Sequence, residues 1–191
     1  MKNKILLLPF AAFFLFCATA FQTNSTKGLL TWQNDHQLTW KDFKGTQSAD
    51  APFAALTHWE IQCSSAVVGD SAECTVDCYF SPTDSKVKRA SRTDTALLAH
   101  EQYHFNIAEL YTRKLRKALG ELVLSKKDAM NKISKTYQQY VNDCSKEQDR
   151  YDNETQHSIK VPEQLQWQAD IAKQIKDLDA YQVSLVKVAA K

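Results

Sequence analysis

Leu97-Leu98-Ala99-His100-Glu101-Gln102-Tyr103-His104-Phe105-Asn106-Ile107-Ala108-Glu109-Leu110 decides how the rest of the chain is read. Its apolar residues (Leu97, Leu98, Phe105, Ile107, Ala108, Leu110) recur at helical spacing, which predicts a largely buried helix. Within it stands the pattern H-E-x-x-H. Residues four apart on a helix lie one turn apart on the same face. His100 and His104 can therefore reach one metal ion, and Glu101 leans to the same side, close enough to hold a metal-bound water. Two histidine ligands and a carboxylate that is base rather than ligand form the zincin arrangement. The plainer reading is one packed and one hydrated histidine. Two clustered imidazoles and a carboxylate on a buried helix need partners, however, and a shared Zn2+ supplies them.

Working outward, Thr93 or Asp94 can cap this helix and Gly120 can end it, giving about 95–119. A second helical stretch is expected over about 121–156 and a third over 162–188, with Pro162 in its first turn. Upstream the period changes. Thr57, Trp59, Ile61 and Cys63 alternate with polar residues, Val68-Gly69-Asp70-Ser71 reads as a turn, and Cys74, Val76, Cys78 and Phe80 alternate again. That is a β-hairpin with its cysteines on the buried face. Leu29 to Gly45 reads as short strands or an extended arm. The expectation is an α+β fold, with an N-terminal antiparallel β portion (β-rich 29–80) packed on three long α-helices (95–188). Residues 21–191 form a single zincin-like domain.

Residues 1–20 read as a secretory signal peptide, with Lys2 and Lys4 before an apolar run and Ala18-Thr19-Ala20 as the cleavage site. Cys17 would be the lipidated residue of a lipoprotein, but bulky Phe16 stands where such sites want a small residue. The domain is thus expected to be periplasmic or extracellular, with no integral membrane segment after cleavage. The chain has 24 basic and 22 acidic residues, and two of the basic ones lie in the leader. The balanced remainder gives no reason to expect nucleic-acid binding. Cys63, Cys74, Cys78 and Cys144 permit two disulfides. Cys74 and Cys78 are too far apart along one strand to pair, which leaves Cys63 with one of them and Cys144 with the other.

A catalytic zinc site needs a third protein ligand. Glu109 is out of phase with His100 on a straight helix and is better placed to pair with Arg113. His36 sits in a polar turn. His58 lies on the polar face of the hairpin. His157 closes Tyr151-Asp152-Asn153-Glu154-Thr155-Gln156-His157, where helical phase would bring Tyr151, Glu154 and His157 together. His157 is the expected ligand, with Glu154 its alternative and Tyr151 a candidate for stabilising an oxyanion.

The chain resembles the DUF922 family of bacterial proteins, whose members are described as secreted zinc-dependent proteases. The resemblance is carried by Leu38-Thr39-Trp40-Lys41-Asp42-Phe43-Lys44-Gly45, Ala54-Ala55-Leu56-Thr57, Leu97 to Arg116, Tyr151-Asp152-x-Glu154-Thr155-x-His157, and Gln164-x-x-Trp167. It implies a zinc peptidase site at His100, Glu101 and His104. The chain departs from the family pattern at Asn106, where Asp is expected, at Ser158, where Gly is expected, and at Lys86-Val87, where Trp-Val is expected. The function expected is that of a secreted metallopeptidase cutting peptide or protein substrates by Glu-assisted attack of a zinc-bound water. The alternatives are a non-catalytic exported binding domain and a zinc amidase acting on cell-wall material.

Overall fold

A computed structural model describes residues 26–125 and 127–189; the leader reading falls outside them. Two strands of ten residues, β4 (Trp59–Val68) and β5 (Ser71–Phe80), form the expected hairpin, with Trp59 opposite Phe80 and Val68 opposite Ser71. The sheet alternation puts Ala72, Cys74, Val76, Cys78 and Phe80 inside, all essentially without exposure. β5 is the centre of its sheet. On the side away from β4 it carries β1 (Leu30–Thr31) at one end and β7 (Leu185–Ala189) at the other. A smaller sheet pairs β6 (Lys86–Val87) with β2 (Gly45–Thr46) in parallel and with β3 (Ala55–Leu56) antiparallel. Gly45 has a steric reason: a Cβ there would lie 2.7 Å from the Thr83 carbonyl and from the Lys86 side chain.

The helices are α1 (Thr95–Gly120), α2 (Ala129–Thr155) and α3 (Val161–Asp177). The fold is α+β, as expected. Asp94 caps α1, its carboxylate accepting the Leu97 N–H at 2.9 Å. α1 is the hub, packing against α2, α3, β4, β5 and β7. Phe105, Ile107, Leu110 and Leu115 are buried along it, each stabilising the fold by roughly 1.5–3 kcal/mol. No helix among the described residues is long and apolar enough to cross a membrane.

Two boundaries differ from expectation. α2 begins at Ala129 rather than near 121. The third helix stops at Asp177, and 185–189 is a strand rather than the end of a helix to 188. The run Val183 to Val188 is rich in β-branched residues, which favour extended backbone, and β5 offers it a free edge. Val186 lies opposite Cys74 and Val188 opposite Ala72.

That C-terminal return is held by a buried ionic cluster. The Arg116 guanidinium donates to the carbonyls of Val76, Tyr181 and Gln182, and Arg113 donates to that of Ile175. Glu109 accepts from Arg113 at 2.8 Å and from Arg116 at 3.4 Å. Burial pushes the Glu109 carboxyl above its ordinary range, with the two guanidiniums pulling against that shift. Glu109→Ala is expected to cost about 3 kcal/mol in a urea melt, because it removes the buried carboxylate shared by two buried guanidiniums and leaves them only the more exposed Asp179 and Asp77. The metal content of the folded fraction should not change.

Among the described residues, Cys63, Cys74, Cys78 and Cys144 are free thiols. Cys63, opposite Val76, and Cys74, opposite Ser65, are diagonal neighbours across the hairpin. Their side chains share a hydrogen bond that, with burial, raises the Cys63 thiol. Cys144 is near enough to Cys78 to add to the burial that raises the Cys78 thiol. Of the possible pairings, Cys63 with Cys74 therefore needs the least rearrangement.

Candidate metal centre

The α1 face carrying His100 and His104 looks onto the last turns of α2. Ile133, Cys144, Gln148, Tyr151 and Thr155 make up the buried stripe of α2. Gln148 and Asp152, one turn apart, meet the two histidines. His104 Nδ1 lies 2.6 Å from Gln148 Oε1, and the Gln148 amide donates to the His104 carbonyl at 2.9 Å. With the glutamine oriented by that second bond, His104 donates from Nδ1 and keeps the Nε2 lone pair free for a cation. The His100 and His104 Nε2 atoms are 3.1 Å apart, and Asp152 Oδ1 lies 3.0 Å from the first and 3.1 Å from the second.

His157 also reaches the cluster, with Nδ1 at 3.2 Å from the same Asp152 oxygen. It arrives by an unexpected route. α2 stops at Thr155, and Gln156, His157 and Ser158 all have left-handed backbone, with φ of 50°, 52° and 75°. The His157 N–H donates to the Asp152 carbonyl at 3.1 Å. Asp152 therefore holds His157 by both its backbone and its side chain. Left-handed geometry costs a non-glycine residue roughly 1–2 kcal/mol, and strain of this kind gathers at functional sites. Ser158 stands where glycine is expected from the resemblance, and glycine is the residue for which this φ carries no penalty. Ser158→Gly is therefore expected to raise stability by about 1 kcal/mol, read as a higher urea midpoint with unchanged slope.

Glu101 is buried, and its Oε2 has no hydrogen-bond partner among the described residues. Thr57 donates to the Glu101 carbonyl at 3.2 Å, tying the end of the β3 segment to the site helix. Gln102, within the motif, faces elsewhere. Gln102 accepts from the Leu38 N–H at 2.7 Å and donates to Asn106 Oδ1, which also accepts from the Trp32 indole at 2.9 Å. Asn106, where Asp is expected from the resemblance, thus supplies the oxygen on which both donors converge. Burial opposes charge on His104, but the Asp152 hydrogen bond and the nearby carboxylates win, raising its pKa above the ordinary 6.5. Burial likewise opposes charge on Asp152, and the two imidazoles overcome it, holding that carboxyl well below its usual range.

Three sequence expectations need correction. Glu154 is not at the site; it accepts from the Trp167 indole at 2.7 Å. The helix ends before 157, so the phase that was to align Glu154 with His157 does not exist. Tyr151 is fully buried, stacked on the His100 ring at a centroid distance of 4.6 Å. It therefore fixes that ring from behind rather than presenting a hydroxyl to an oxyanion in the cleft. His58, the remaining alternative ligand, lies beside Glu60 at 3.7 Å and away from the cluster. Asp152 is the site residue that sequence reasoning missed. Its signal was present, four residues after Gln148 on the face adjoining the α2 stripe.

The cluster opens into a cleft of about 520 Å³ lined by α1, the segment 52–57 and the turn 156–159. Among the described residues, His100, Asp152 and His157 place one donor atom each within 4.8 Å of one another, a spacing that suits a metal ion.

A family model described as "Bacterial protein of unknown function (DUF922)" matches residues 21–158, and the chain belongs to that family. Neither a curated protein nor a solved structure matches it.

Proposed function

We propose that this DUF922 protein is an exported zinc-dependent peptidase, with the ion held by His100, His104 and Asp152 and with Glu101 as the general base. The observation that carries this reading is the triangle of His100 Nε2, His104 Nε2 and Asp152 Oδ1, with sides of 3.1, 3.0 and 3.1 Å. Ligands about 2.0–2.1 Å from a tetrahedral zinc stand roughly 3.3 Å apart, so the three atoms are spaced as one face of such a site. The donor chemistry fits as well: two imidazoles and a carboxylate, with the His104 tautomer fixed by Gln148. Three protein ligands leave a position open, as a catalytic site requires.

A zinc ion bound there acidifies water to a pKa of about 7 and polarises a carbonyl. The chain does the rest. Glu101, buried and with an oxygen unpaired, takes the proton and passes it to the leaving amine. Tyr151 and Gln148 lock the two imidazoles in place. His157 holds the cleft side of the Asp152 carboxylate. Export rests on the leader read in residues 1–20. The test is hydrolysis of an unstructured protein such as reduced casein. Cleavage that stops on chelation and returns with zinc supports the proposal; cleavage unaffected by chelation, or none with zinc bound, contradicts it.

A further inference from the structure

We infer that the cleft selects a bulky apolar side chain next to the bond that is cut, with Phe53, Leu56 and Ile159 as the residues that set this preference. The inference rests on the peptidase reading and adds a substrate class to it. Large apolar side chains left in water are unusual at a polar site, yet three stand around this one. Phe53 and Leu56 are 44% exposed and Ile159 is 76% exposed, and all three line the cleft. The Phe53 ring lies 5.1 Å from the His157 ring, so this apolar wall directly adjoins the metal cluster. Trp59 and Leu97, half-buried and buried, continue the apolar lining inward, and Pro52 extends it at the surface.

Charge points the same way. Among the described residues, no lysine or arginine lines the cleft, so an acidic side chain away from the metal would find no basic side chain to pair with. The acidic groups lining it are Asp94, Glu101 and Asp152. Asp94 is engaged at the start of α1, and the other two belong to the site chemistry. A charged side chain would lose hydration against the wall without gaining a partner, whereas an apolar one gains the burial of its own surface and of Phe53, Leu56 and Ile159.

The experiment is a series of quenched fluorescent peptides that differ at one position beside the scissile bond, cut by the zinc-loaded protein. Leu or Phe at that position should give kcat/KM roughly 10–100-fold above Asp. Leu56→Lys and Ile159→Lys, both at exposed positions, should shrink that ratio at least tenfold. Equal rates for Leu and Asp, or a ratio unchanged in both variants, would overturn the inference while leaving the peptidase reading intact. Equilibrium binding of the same peptides to zinc-loaded Glu101→Gln protein reads the pocket apart from cleavage. Binding at least tenfold tighter for Leu than for Asp supports the inference even if no peptide is cut, an outcome that would count against the peptidase reading alone. Equal binding, or no binding of either, overturns it.

Discussion

Glu101→Gln is expected to keep the bound zinc and the fold but to lower hydrolysis by about 10²–10⁴-fold. Glutamine has the same shape, and the Glu101 Oε2 atom has no hydrogen bond among the described residues for the substitution to break. What the amide lacks is the ability to accept a proton. Removing a general base while leaving the ligands untouched should therefore lower kcat with little change in KM. Single-turnover cleavage, zinc content and a far-ultraviolet circular dichroism spectrum, measured on one preparation, separate these effects. Wild-type cleavage by a zinc-loaded Glu101→Gln protein would remove Glu101 from the base role.

The second large effect is expected at Asp152. Asp152→Ala removes the third corner of the donor triangle and the support of His157 in one step. Its zinc affinity should fall by more than the roughly 10–100-fold typical of residues that only orient a ligand. His157→Ala should fall within that range, since its ring meets the cluster through the Asp152 carboxylate. Glu154→Ala should stay within a few-fold of wild type, because Glu154 faces Trp167. Competition with a zinc chelator ranks the three. If His157→Ala empties the site while Asp152→Ala binds like wild type, His157 is the third ligand and Asp152 only its support.

The contrast between Asp152 and His157 shows where the sequence was legible. Regular periods read well. The alternation from Trp59 to Phe80 gave the hairpin and its buried face, and the spacing of His100, Glu101 and His104 gave the site helix. Glu109 pairs with Arg113, as its phase on an unbroken helix predicts, and with Arg116 as well. Interruptions of a period read poorly. Three consecutive left-handed residues after Thr155 cannot be inferred from Gln156-His157-Ser158, since none is the glycine that normally marks such a turn. Extending helical phase through them aligned His157 with Tyr151 and Glu154 and passed over Asp152. The strand at 185–189 was missed for a related reason. Its pairing with β5 is a tertiary contact more than a hundred residues away in sequence, and local propensity is a weak guide against that.

The central claim is that one zinc ion sits between α1 and the end of α2. Metal analysis by mass spectrometry tests it most directly, on the purified chain from residue 21 onward, after zinc loading and removal of excess ion. The wild-type protein should carry about one zinc per chain, and folded His100→Ala and His104→Ala proteins essentially none. Full zinc occupancy in both variants, or no retained zinc in the wild type, would contradict it.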